Sequence, residues 1–92
     1  MKVGAVAPLF TRDARRSIDF AISAEEQGID AIFVYDHLYP LGDPSRFALS
    51  WLPVLSAIGE ATISLSIGPL VARIGVTPTR LMQQQAETMN YL

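Results

Sequence analysis

The chain reads as an α/β fold of parallel strands, the first three βα units of a (β/α)8 barrel. Three observations carry this expectation. Short apolar runs rich in β-branched residues begin near Val3, Ala31 and Ser64. Each is followed by a stretch whose apolar residues recur at the three- and four-residue spacing of a helix. The strand–helix unit therefore repeats about every thirty residues, the length of a βαβ unit. Successive parallel strands need such crossovers, and two architectures use them, the closed barrel and the open doubly wound sheet. A complete barrel takes roughly 250 residues. The 92 residues here supply three units, too few for a barrel or for a flavodoxin-like sheet of about five strands. The expectation is one partial domain over residues 1–92, the truncated amino-terminal portion of a barrel.

Strand one falls near residues 2–7, where an apolar run is broken by Pro8. Thr11 or Asp13 then offers a side-chain oxygen to the free N–H groups of a helix near residues 13–27. Ala14, Ile18, Ala21, Ile22 and Glu25 make one face of that helix. Arg15, Arg16, Asp19 and Glu26 fall on the solvated faces. Gly28 stops the helix, because glycine accepts a left-handed backbone without a Cβ clash. Strand two follows at residues 31–35. Its unbroken apolar run, Ala31 to Tyr35, reads as buried on both faces and ends in Asp36 and His37.

Residues 38–50 carry Pro40, Gly42, Asp43 and Pro44, strong turn formers. A loop of this length after a strand is more often functional than merely connecting. Helix two spans residues 51–61, with Leu52, Leu55, Ile58 and Gly59 along one stripe. Strand three lies near 63–71 and is interrupted by Gly68 and Pro69. Residues 72–77 form a loop. Helix three spans 79–92, with Met82, Gln85, Ala86, Met89 and Leu92 as its stripe. In an unclosed barrel, interior side chains among Ile32 and Val34 or their neighbours face water, and both sheet edges stay unpaired. That points to a homo-oligomer or a loose fold.

Composition narrows the function. Half the residues are hydrophobic and 17% are charged, a rich core for so short a chain. No cysteine is available for a disulfide or a thiolate metal site. The net charge of −2 is scattered, and no basic face invites nucleic acid. No apolar run reaches the roughly 20 residues of a membrane span, and the start lacks a signal-peptide pattern. The expected setting is the cytoplasm and the expected partner a small-molecule substrate. No Gly-rich phosphate loop, metal-ligand cluster or Ser/His/Asp set has supporting spacing.

Asp36-His37 is the leading candidate for chemistry. Parallel sheets bind ligands at the carboxyl ends of their strands, and histidine is the side chain that exchanges a proton near neutrality. The plain alternative is that Asp36 caps the following loop and His37 packs. Arg73, Thr77 and Thr79 suit either phosphate contact at the start of helix three or a solvent-facing loop and cap. Trp51 and Tyr39 suit a pocket wall or the core.

Ala24-Glu25-Glu26-Gln27-Gly28-Ile29-Asp30-Ala31-Ile32-Phe33-Val34-Tyr35-Asp36-His37-Leu38 resembles the "AEExGFDxxWxxDHL" segment of the luciferase-like monooxygenase superfamily. Ala61-Thr62-Ile63-Ser64-Leu65-Ser66-Ile67-Gly68 is similar to its "ATxRIxLGT" strand, and Gln85-Ala86-Glu87-Thr88-Met89 to its "QAATLD" helix. Gly68-Pro69-Leu70-Val71-Ala72-Arg73 resembles the third-strand end of the deazaflavin-dependent members. In one place the chain departs: Val76-Thr77-Pro78-Thr79 stands where the family has Arg-x-Pro.

The resemblance implies an oxidoreductase using coenzyme F420 (a deazaflavin) or FMN, for hydride transfer or monooxygenation. It implies His37 as the catalytic proton donor or base. Asp36, Leu70, Val71 and Ala72 would contact the cofactor, with a non-prolyl cis peptide at Leu70–Val71 or Val71–Ala72. The plain alternative for this stretch is that Gly68-Pro69 merely terminates a strand. Two other functions stay open. One is a metal-dependent sugar isomerase-like barrel using His37 as a ligand. The other is a non-catalytic truncated product acting through self-association.

Overall fold

The middle of the molecule is strand β2, Ala31–Val34, flanked by β1, Gly4–Val6, and β3, Ser66–Pro69. The computed structural model describes residues 1–73 and 75–91. Both pairings are parallel, with Ile32 opposite Ala5 on one side and Ile67 on the other. Helices α1 (Ala14–Glu26), α2 (Trp51–Ala61) and α3 (Thr79–Met89) follow the three strands in turn. Spatial order β1-β2-β3 equals chain order. With crossovers of one hand, each helix then falls on the same side of the sheet. That is the winding of a barrel; a doubly wound sheet reverses its order.

This winding corrects the expectation that β2 is covered on both faces. Ile32 and Val34 are fully buried, packed with Ala21, Ala24, Val54, Leu55 and Ile58 from the helices. Ala31, Phe33 and Tyr35 on the opposite face are half-buried. Ile32 and Val34 therefore point into the helix layer, and it is their neighbour Phe33 that occupies the uncovered face. Its ring lies so close to Gly4 that a Cβ there would stand 2.7 Å from Phe33 Cε2.

Asp13 caps α1: its Oδ1 accepts from the Arg15 N–H at 3.0 Å, while Thr11 Oγ1 accepts from the Asp13 N–H at 3.1 Å. The buried face is Ser17, Ala21 and Ala24; of the expected set Ala21 is buried and Ile18 packs half-buried against the core, while Ala14 is exposed. Small side chains let the helix sit close on the sheet, and the Ser17 hydroxyl is satisfied by donating to the Pro8 carbonyl. Hydrophobicity alone ranked Ile18 above Ser17, so Ser17 was left out of the expected face. At the far end the Gly28 N–H bonds Glu25 O and the Ile29 N–H bonds Ala24 O, each at 3.0 Å. This double closure requires the left-handed backbone of Gly28, φ +85°. It turns the chain straight into β2.

Helix α2 buries Val54, Leu55 and Ile58, and Pro53 sits in its first turn, where no N–H partner is lost. Gly59 is exposed, yet an added Cβ would lie 3.0 Å from Ile67 Cδ1, so the helix approaches β3 closely there. Strand β3 is shorter than the expected 63–71 because its first residues bond elsewhere. Glu25 Oε1 accepts from the N–H groups of Ile63 (2.8 Å) and Ser64 (2.6 Å) and from the Ser64 hydroxyl (3.1 Å). Helix α3 buries no residue fully. Met82, Gln85 and Met89 are half-exposed, Met89 reaches the core, and its sulfur accepts from the Ser56 hydroxyl at 3.3 Å. Leu92, the expected end of that stripe, lies outside the described residues. Among the described residues no helix is long and apolar enough to cross a membrane.

Two expectations follow. Gly28→Ala has open space for its Cβ, so its cost is the backbone conformation alone, about 1–2 kcal/mol, read from urea unfolding. Glu25 has its carboxyl held below the usual range, chiefly by the Ser64 N–H and then by the Ile63 N–H. A lowered folded-state pKa adds stability above the unfolded value near 4.5 and loses it as pH falls through the folded value. Glu25→Gln is therefore less stable than the unaltered chain at pH 7, and the gap closes on acidification; a pH series of melting temperatures reads both.

Candidate functional site

A parallel ladder advances by two residues per rung. The Ser66 N–H donates to Asp30 O at 3.0 Å, and four residues on the Leu70 N–H donates to Val34 O at 2.7 Å. The next rung would pair residue 72 with the backbone oxygen of Asp36. Instead the Arg73 N–H donates to the Asp36 side chain, at Oδ2, at 2.8 Å. One residue has been let out of the ladder, and a carboxylate has reached across to close it. The let-out stretch contains the Leu70–Val71 peptide, which is cis, at one of the two expected positions.

Asp36 is 9% exposed, and such a carboxylate needs partners. It has them in Arg73. Besides the backbone bond, Arg73 Nη2 lies 3.5 Å from Asp36 Oδ1. That is an ion pair but not an aligned hydrogen bond, and both Nε and Nη2 are buried without a hydrogen-bond acceptor. Of the two readings of Arg73, a phosphate contact or a solvent-facing loop residue, the structure shows neither; its side chain is paired with a carboxylate of its own chain. Helix α3 starts after Pro78 with no side-chain cap bond, so Thr79 is not its cap.

His37 is half-buried among aromatic rings. The Tyr35 ring meets it edge-on at 5.4 Å between centroids, and Phe10 lies 6.2 Å away at 57°. Phe10 and Tyr35 stack at 6.0 Å and 17°. Among the described residues Asp36 makes no hydrogen bond to His37, so it does not orient the ring that way. The structure brings Asp36 together with the segment 70–73, and His37 together with Phe10. Leu70 and Val71 expose apolar side chains beside this cluster's strands, and Ala72 is half-buried.

Phe10 and the Asp36–Arg73 pair were missed by sequence reasoning. Phe10 sits in a loop without periodicity, and residues 36 and 73 are linked only through strand pairing. Trp51 and Ala72 line an apolar hollow of about 360 Å³ against α3, with Met82 and Met89; Tyr39 is exposed. A larger hollow, about 560 Å³, lies at the opposite end, where Lys2, Glu25, Asp30 and Ser64 surround the strand starts. It holds no imidazole, and parallel sheets place ligand chemistry at the other end. Among the described residues no three His, Asp or Glu side chains gather as a metal would require.

Comparison with known proteins gives this geometry a context. No family model matches the chain. An F420-dependent glucose-6-phosphate dehydrogenase of Gordonia bronchialis is 35% identical over 82 residues, covering 86% of this chain and 22% of that protein. The enzyme of the same description from Microbacterium testaceum is 40% identical over 62 residues, 67% of this chain and 17% of that protein. Among solved structures, an F420-dependent secondary alcohol dehydrogenase in complex with an F420-acetone adduct superposes with a TM-score of 0.81. That match covers 91% of this chain and 26% of the other, at 22% identity, a likeness of fold. The chain is a homologue of F420-dependent glucose-6-phosphate dehydrogenases of the luciferase-like family, and it spans about a fifth of their length.

The aromatic cluster has a direct test. Ring currents from Phe10 and Tyr35 displace the ring-proton resonances of His37 from free-histidine values. Phe10→Leu moves them part of the way back in a proton NMR spectrum while the amide pattern of β2 persists.

Proposed function

We propose that this chain carries the cofactor-facing portion of a deazaflavin-dependent oxidoreductase, with His37 as its proton-transfer residue. One observation supports this above the rest: the Asp36 to Arg73 bond brings the end of β2 and the end of β3 to one place. The residues present suit a planar ring with one polar edge. Leu70 and Val71 offer exposed apolar surface, Ala72 adds little bulk, and Asp36 is a fixed carboxylate beside them.

Bound there, coenzyme F420 supplies two-electron hydride chemistry. This chain's part is binding and proton handling. With an alcohol as hydride donor and the deazaflavin as the two-electron acceptor of that hydride, a ring nitrogen of His37 would take the hydroxyl proton. The aromatic rings of Phe10 and Tyr35 limit the imidazole's motion and shield one side from water. Flavin mononucleotide, and with it monooxygenation, is the second reading, since the same apolar platform suits either ring system. We also propose self-association, supported by the half-exposed Phe33 face and the two outer strands of the sheet; sedimentation velocity over a concentration series then shows a species larger than the monomer.

Titrating the chain with coenzyme F420 and following the deazaflavin fluorescence tests the main reading. Saturable binding is expected, with weaker binding of FMN. In a full-length protein containing this segment, His37→Ala leaves F420 binding and melting temperature nearly unchanged and lowers turnover by about 10²–10⁴-fold. Unchanged turnover with a large drop in melting temperature makes His37 a packing residue and removes the catalytic reading.

A further inference from the structure

Strand β3 continues into the segment 70–73, and among the described residues the backbone of that segment is fastened at its two ends by the bonds described. The Leu70 N–H is held by Val34 O at 2.7 Å, and the Arg73 N–H by Asp36 Oδ2 at 2.8 Å. Between them the side chains of Leu70 and Val71 stand in the open, 44% and 69% exposed. Val34 and Asp36 are two apart on β2 and its extension, so both fastenings come from one edge of one strand. The second is a side-chain bond and depends on where the Asp36 carboxylate is held.

We infer that Arg73 is a positioning residue: its guanidinium fixes the Asp36 carboxylate, and through it the bulged segment Leu70–Ala72 against which the proposed cofactor ring rests. The guanidinium meets the carboxylate as an ion pair, through the Nη2 end of its Nε–Nη2 edge. Nη2 stands 3.5 Å from Oδ1, and the edge is buried with no competing acceptor among the described residues. Arg73 therefore holds Asp36 twice, by its backbone N–H and by its charge. The two contacts use different oxygens of the same carboxylate, which fixes the plane of the group as well as its place. This role rests on the proposed function, and it makes Arg73 act on the cofactor site through Asp36.

Two measurements on the full chain separate the fastening from its purpose. Amide hydrogen exchange reads the fastening without any cofactor. The Arg73 N–H is protected in the unaltered chain and exchanges like an open loop amide in Asp36→Ala, while the Ile32 and Phe33 amides of β2 stay protected. Asp36→Asn, which keeps an acceptor oxygen, serves where Asp36→Ala fails to fold. An unprotected Arg73 amide in the unaltered chain overturns the inference. Fluorescence titration with coenzyme F420 reads the purpose. Arg73→Ala, which removes the ion pair, and Asp36→Ala, which removes both contacts, each weaken binding about tenfold. The double variant weakens it no further, because both act through one contact. Equal affinity in all variants, with the fastening intact in the unaltered chain, overturns the positioning role. Absence of F420 binding by the unaltered chain overturns the proposed function, and the positioning role with it, while the exchange result still decides whether the fastening exists.

Discussion

Helices cover one side of this sheet and leave the other side open. Everything else follows from that asymmetry. Ile32 and Val34 give up all their surface to α1 and α2, so β2 is fixed in depth and in register by its helix side alone. The alternation of a strand then sends Ala31, Phe33 and Tyr35 the other way. Tyr35 is the last of these before Asp36 and His37, and its ring is what His37 packs against. Burial of two aliphatic residues on one face thus determines where an imidazole stands on the other. Small residues are needed on the helix side, which is why a serine and two alanines make the buried face of α1.

Much of this was legible in the sequence. The order of elements, the three helices and their starts, and the parallel sheet follow from periodicity, from Gly28 and from the recurrence of the unit. The strand ends were not, because a strand stops where its hydrogen bonds go elsewhere. Ile63 and Ser64 look like strand residues, and their N–H groups belong to Glu25. Ser17 was left out of the α1 face because it is polar by type and satisfied by geometry. Within the candidate site, Asp36 and His37 were visible as a carboxylate and an imidazole at a strand end. What they touch was not. Arg73 and Phe10 reach them from loops, and the partnership exists only once three strands have been laid side by side.

The polar accounting at the carboxyl end explains why a charged pair sits so far inside. A ladder that loses a residue leaves an N–H group pointing at nothing, and such groups are rarely left unpaired. Asp36 supplies the acceptor, but burying its charge demands a counter-charge. Arg73 supplies that from the same residue whose N–H began the problem. The pair is therefore a local solution to a backbone defect, and it places formal charge beside an apolar ledge.

Glu25 adds something when set beside Asp36. Strand β3 reads Ser66-Ile67-Gly68-Pro69, with a single large side chain to lodge in the helix layer. A strand so poorly endowed can slide along its neighbour by a pleat at little cost in packing. The two carboxylates prevent this. Glu25 grips the chain just before the strand and Asp36 just after it, from elements that do not move with β3. Any slip would break both grips at once, so β3 is indexed like a ruler against two stops. In this molecule the alignment of the third strand is written in acidic side chains, and only weakly in hydrophobic ones.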